Sequence, residues 1–126
     1  MTWPVRTVPA ELRERYLAEG WWTDDTLGAL VDRSLTATPE AAMNVWSDTN
    51  DWHGTYADVH AEAQRLVGAL QAAGLRPGDV VAFQLPNWRE AIVSFYALAM
   101  GGYVLVPIVH IYGSKEVRFI LDQCGA

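Results

Sequence analysis

The sequence predicts an α/β fold: an incomplete three-layer arrangement with a small parallel sheet in a βαβ unit, flanking helices and an N-proximal β-hairpin. Three observations carry that expectation. The stretch AFQLPNWREAIVSFYALAMGGYVLVPI, Ala82 to Ile108, reads as strand, turn, helix, double-glycine stop and strand. Two apolar runs joined by one helix through short loops pair in parallel and cross over right-handed. Upstream, AAMNVW and WHGTY flank the turn cluster SDTND, which is the pattern of a hairpin.

The elements follow in chain order. PAELRERYLAEG is a short helix: Pro9 suits its start, Gly20 its stop, and Glu11 and Arg15 are spaced to pair at i,i+4. Leu12 and Tyr16 give it a narrow apolar stripe. Trp21 and Trp22 follow, and aromatics this dense anchor an arm by burying area, with ligand contact as the alternative. Residues 1–22 are therefore read as an N-terminal arm. WTDDTLGALVDRSLTATPE gives a second helix, capped by Thr23 or Asp24, with Leu27, Leu30, Val31 and Leu35 on one face and Pro39 blocking its continuation.

After the hairpin, Thr55 with Asp58 three residues on forms a capping signature. Val59, Ala63, Leu66, Leu70 and Ala73 then step by four and three along one helical face, and Gly74 ends it. RPGD is a Pro-Gly turn. VVAFQL is apolar nearly throughout, as a strand covered on both faces must be. Asn87 with Glu90 marks another capped helix running to about Met100, stopped by Gly101 and Gly102. YVLVPI is the next strand. Ser114 caps a last helix, KEVRFILDQ, with Val117, Ile120 and Leu121 inward.

Composition excludes several function classes. The chain has 126 residues, 51% of them apolar, which suits one domain or part of a larger one. The formal charge is -6 and the basic residues are scattered, so no basic face exists to neutralise the phosphates of a nucleic acid or an anionic membrane. Cys124 is the single cysteine, which suits a reducing cytoplasm, and no base near it suggests a nucleophile. The N-terminus lacks the apolar core of a signal peptide. Ala91 to Ser114 carries no charge over roughly a bilayer span. Gly101, Gly102 and Pro107 interrupt it, so it reads as a buried helix and strand, with no transmembrane segment.

Chemistry-bearing patterns are sparse. QLPNWRE occupies the loop between strand and helix where α/β proteins bind ligands, yet it has no glycine to let a backbone approach a pyrophosphate. Pro86, Asn87 and Glu90 read as turn and cap. His60 and Glu62 lie two apart and point away from each other. His53 sits on a hairpin strand facing solvent. His110 lies just past a strand end, where either pocket contact or loop packing suits it. The acids Asp24, Asp25 and those of SDTND suit capping and turn chemistry. No residue is assigned a catalytic, cofactor-binding or metal-ligating role.

From Thr55 onward the chain resembles the first block of the adenylate-forming superfamily, which includes the acyl-CoA synthetases, aryl-acid ligases, luciferases and peptide-synthetase adenylation domains. The residues that carry it are Thr55-Tyr56, the helix with Leu66 and Leu70, Gly74 with RPGDVVAFQLPN, the helix up to Gly101-Gly102, Pro107, and EVRFILDQCGA. The leading YLAEGWWTDDTLGALVDRSLTATPEA is similar to the opening of acyl-CoA and aryl-acid ligases. Two stretches mimic family motifs without matching them. YGSKE, Tyr112 to Glu116, has Lys115 where the adenine motif has threonine and no phosphate loop ahead of it. PGD, Pro77 to Asp79, follows the ribose motif only through turn chemistry. VHIYGS departs from the Asn-Pro pair that many members carry.

The resemblance implies that residues 23–126 are the N-terminal portion of a large adenylation domain, left incomplete. It implies that the full-length parent activates a fatty or aryl acid with ATP and Mg²⁺ to an acyl-adenylate, then transfers it to coenzyme A. The Ser/Thr/Gly-rich phosphate loop, the ribose-binding Thr-Gly-Asp and the C-terminal lysine of the family are not among these residues. The segment alone is therefore expected to bind no cofactor and to be inactive. Its expected partner is the remainder of its own domain, with self-association through exposed sheet edges as another way to cover them. The alternative is a stand-alone α/β interaction module without catalysis.

Overall fold

The computed structural model describes residues 7–126, so the start of the arm, 1–6, lies outside the described residues. The elements are α1 (Ala10–Ala18), α2 (Leu27–Ala37), β1 (Ala42–Val45), β2 (Trp52–Thr55), α3 (Tyr56–Ala72), β3 (Val80–Gln84), α4 (Arg89–Met100), β4 (Val104–Ile108) and α5 (Ser114–Cys124). Both expected sheets form. β1 and β2 pair antiparallel, with Ala42 opposite Thr55 and Val45 opposite Trp52. β3 and β4 pair in parallel, from Val80 opposite Val104 to Gln84 opposite Ile108.

The turns preceding the two parallel strands are clasped together, which fixes that register. RPGD closes with Asp79 N–H donating to the Arg76 carbonyl at 3.0 Å, and Gly78 takes φ +91°. The Gly78 N–H then donates to the Gly102 carbonyl at 2.8 Å, and Val104 N–H to the Asp79 carbonyl at 2.9 Å. Gly102 sits at φ +70°, a left-handed conformation that any side chain would strain.

α4 is the centre of the packing. It buries Val93, Ala97, Leu98 and Ala99 and lies against α2, α3, β3 and β4. Of the face predicted for α3, Val59 and Ala63 are fully enclosed and Leu66 and Leu70 half-buried, while Ala73 caps the helix end and stays exposed. Small residues let the helices approach closely. A Cβ placed on Gly28 of α2 would lie 2.5 Å from the Ala99 carbonyl oxygen, a backbone atom that cannot swing away. Of the face predicted for α2, Leu35 is buried and Val31 half-buried, while Leu27 and Leu30 stay exposed.

The capping signature of α3 is present in full. The Thr55 backbone N–H donates to Asp58 Oδ2 at 2.8 Å, and Asp58 N–H donates to Thr55 Oγ1 at 3.3 Å. The Thr55 backbone N–H first, and its hydroxyl second, hold the Asp58 carboxyl below the ordinary carboxylate range.

Other terminal expectations need correction. α2 starts after Thr26, whose side chain accepts from Ala29 N–H at 3.1 Å, rather than at Thr23 or Asp24. Those two are engaged elsewhere: Thr23 accepts from Asp25 N–H, and Asp24 pairs with Arg13 at 3.1 Å. Asn87 does not cap α4. Trp88 holds that position without a side-chain bond, and Glu90 turns to Arg89 and Asn50. Ser114 is the first helical residue of α5, behind Gly113 at the N-cap, where no side chain accepts a capping bond. Arg15 pairs with Glu19 at 3.0 Å and not with Glu11. Trp21 and Trp22 pack on Tyr16 with ring centroids 5.5 and 5.0 Å apart, but both stay exposed, so the arm is not anchored by their burial.

The charge-free run from Ala91 divides into α4, β4 and a loop, and no described helix is long and apolar enough to cross a membrane.

Two stability measurements follow from this packing. Gly28→Ala gains at most about 1 kcal/mol of helix propensity and meets an overpacking cost of about 1–3 kcal/mol. Urea unfolding is expected to show a lower midpoint with an unchanged slope. Asp58→Asn is expected to destabilise the chain at pH 7. Because the folded carboxyl titrates below its unfolded value of about 3.9, its contribution is complete above that value. The gap to wild type should close as pH falls through the depressed folded value, read by urea unfolding at pH 7 and near pH 3.

Candidate functional site: an apolar groove at the strand ends

Parallel strands with short loops open their carboxyl ends to one side, and ligands of α/β folds bind there. Here that side holds an open groove of about 760 Å³, within the size range of small-molecule sites. Phe83 comes from the end of β3 and Leu85 from just past it, and Pro107 and Ile108 from the end of β4. The helical wall is Ala91, Ile92, Phe95 and Tyr96 on α4, spaced so that they share one side of its first turns. Phe95 is 37% exposed, and its ring meets that of Tyr96 edge-on at 6.0 Å. Asn87 and His110 add polar atoms to an otherwise apolar lining.

A ridge of charge lies beside the start of α4. Arg89 reaches Glu62 of α3 at 3.4 Å and Glu90 at 3.2 Å, and its guanidinium lies 6.0 Å above the Trp52 ring of the hairpin. Asn50 donates to Glu90 at 3.4 Å. Each such pair at a surface stabilises little. Together they tie hairpin, α3 and α4 to one another.

The histidines separate. His110 lines the groove from the loop just past β4. His53 faces solvent on β2, with Nδ1 2.9 Å from Asn44 Oδ1 and its ring edge-on to Trp46. His60 lies between helices, Nε2 2.7 Å from Asp32 Oδ1, while Glu62 pairs with Arg89 instead. Asp25 is held below the ordinary carboxylate range by its side-chain bonds to Arg33, at 3.0 and 2.9 Å. Of the SDTND acids, Asp51 serves the turn by accepting from Ser47 N–H, and Ser47 Oγ accepts from Thr49 and Asn50 N–H. Cys124 is buried at the end of α5, its thiol 3.7 Å from the Leu121 carbonyl. Among the described residues, no group of three His, Cys, Asp or Glu side chains could hold a metal ion.

The arrangement can surround an apolar body and offer an imidazole and an amide at its edge. It brings together no nucleophile, base and oxyanion donor. Sequence reasoning reached the groove through His110 and through the place of the QLPNWRE loop, whose Leu85 and Asn87 line it. It missed the α4 wall, whose spacing from Ala91 was readable, and it missed Gln84, whose side chain donates to the Val109, His110 and Tyr112 carbonyls.

Beyond the groove, exposed apolar residues follow β4: Val109, Ile111 at 76% and Tyr112 in the loop, and Phe119 at 64% on α5. Among the described residues β3 and β4 pair only with each other, so each keeps an unpaired outer edge.

Comparison with known proteins gives the arrangement relatives. The sequence model of the family described as AMP-binding enzyme matches residues 31–126. The medium-chain fatty-acid–CoA ligase of Escherichia coli is 31% identical over 123 residues, covering 95% of this chain and 21% of that protein. The long-chain-fatty-acid–CoA ligase FadD13 of Mycobacterium tuberculosis is 36% identical over 100 residues, covering 79% of this chain and 20% of that one. The apo structure of Mycobacterium smegmatis MbtA superposes with a TM-score of 0.76 at 30% identity, covering 94% of this chain and 22% of its own. This chain thus spans about a fifth of the length of the curated relatives it matches.

Proposed function

Because this chain belongs to the AMP-binding enzyme family, we propose that it is the N-terminal portion of the large adenylation domain of an acid–CoA ligase. The whole protein activates a fatty or aryl carboxylic acid with ATP to an acyl-adenylate and transfers the acyl group to coenzyme A. A carboxylate oxygen attacks the α-phosphorus and pyrophosphate leaves. Mg²⁺ would neutralise charge in that step from parts of the domain beyond these residues.

The observation that carries this reading is the family match over residues 31–126 in a chain that spans a fifth of its curated relatives. Residues 23–126 act as scaffold, preceded by the arm of residues 1–22. The remainder of the domain covers the free strand edges and the exposed Ile111 and Phe119. The groove supplies part of the apolar surroundings of the acid, since its lining is mostly aliphatic and aromatic, with polar groups from Asn87, Tyr96 and His110. None of its residues is assigned a catalytic role. The single cysteine suits residence in the cytoplasm.

Pyrophosphate release tests the reading. The 126-residue chain with ATP and decanoate, salicylate or ferulate is expected to release none. A product that extends this chain through a Ser/Thr/Gly-rich loop and a C-terminal lysine is expected to release it with at least one of them. Release by the chain alone, or none by the extended product with any acid, overturns the proposal. In that extended product, Ala91→Phe narrows the groove, and is expected to raise KM for the longest acid accepted roughly tenfold while kcat stays within about twofold.

A further inference from the structure

Gln84 is the last residue of β3, and the register sets it opposite Ile108, the last residue of β4. Its side chain reaches across the strand ends into the following loop. Nε2 lies 2.8 Å from the Tyr112 carbonyl oxygen, 3.1 Å from that of Val109 and 3.4 Å from that of His110. The loop closes as a turn through Tyr112 N–H donating to the Val109 carbonyl at 3.0 Å. The Val109 oxygen therefore accepts twice.

Three carbonyl oxygens gathered at one point repel one another unless a donor lies between them. A carboxamide nitrogen carries two hydrogens and supplies that donor. Two residues of this turn, Val109 and His110, also line the groove. We infer that Gln84 is a positioning residue: its carboxamide shapes the Val109–Tyr112 turn and thereby seats His110 and Val109 as the rim of the groove. If the groove receives the apolar body of the acid, as proposed above, Gln84 governs the shape of its mouth. The seating of the turn does not depend on that reading.

The chemistry of the donor makes the inference testable. Methionine matches glutamine in length and cannot donate. Glutamate adds a fourth acceptor when ionised and regains one O–H donor when protonated, around pH 4.3 for an ordinary glutamate. Amide hydrogen exchange, read residue by residue by NMR on the 126-residue chain, reports on the Tyr112 N–H.

In Gln84→Met its protection factor is expected to fall about tenfold, the equivalent of one net hydrogen bond. The Val81 and Val106 amides inside the strand pair should keep their protection. In Gln84→Glu the loss at pH 7 should be at least as large, and part of it should return near pH 4. Unchanged Tyr112 protection in Gln84→Met overturns the inference. So does a Gln84→Glu protection factor that ignores pH, since lost packing has no such dependence. If Gln84→Met also loosens the strand amides, the recovery of Gln84→Glu decides. Pyrophosphate release reports on the ligase reading and amide exchange on the turn, so each can fail while the other stands.

Discussion

Parallel strands place a severe demand on their surroundings, because their connections run over the faces of the sheet and leave little of it for water. In this chain the demand is met halfway. α4 covers one stretch of the β3–β4 pair and α5 touches β4, yet among the described residues both outer edges stay unpaired, and the strand ends open into a mostly apolar groove. The exposed Phe95, Ile111 and Phe119 belong to the same shortfall. Much of the surface that distinguishes this molecule, and the reading of it as scaffold, follows from a sheet that is started and not enclosed.

α4 mediates between the enclosed half and the open half. On one side it buries Val93 and Ala97 against the other helices, with Gly28 permitting α2 to lie on its backbone. On another side Ala91, Ile92, Phe95 and Tyr96 face the groove. A helix this apolar has no polar stripe to declare its outside, and it needs none if both sides end in contact. The ridge formed by Arg89, Glu62, Glu90 and Trp52 adds orientation at its first turn and little energy.

What could be read from the sequence was whatever residues close in the chain decide among themselves. Thr55 and Asp58 are three apart and bond only each other and their own backbone, so the cap of α3 was legible. The Pro77-Gly78 turn and the Gly101-Gly102 stop were legible for the same reason. The start of α2 was not. Thr23, Asp24 and Thr26 are all competent caps, and the choice among them involves Arg13, eleven residues from its partner Asp24. The Asn87 and Glu90 cap signature misled likewise, since Glu90 accepts from Asn50 in the hairpin turn. The groove was visible only at its rim, in the QLPNWRE loop and at His110, because its wall lies in a helix that is apolar beyond its first turn. The reach of Gln84 was invisible, for it exists only once the loop after β4 has folded back over β3.

Thr55 closes β2 and at the same time holds the N-cap of α3, so strand and helix meet without a single spare residue. The hairpin is thereby cantilevered from the helix, its tip near Trp46 reaching into solvent with 77% of that residue uncovered. Such a joint has no slack. Length added at the tip, between Val45 and Trp52, changes the overhang and puts at stake only the Asn50–Glu90 bond, whereas one residue added at Thr55 swings the whole hairpin about the axis of α3 and pulls Trp52 away from Arg89.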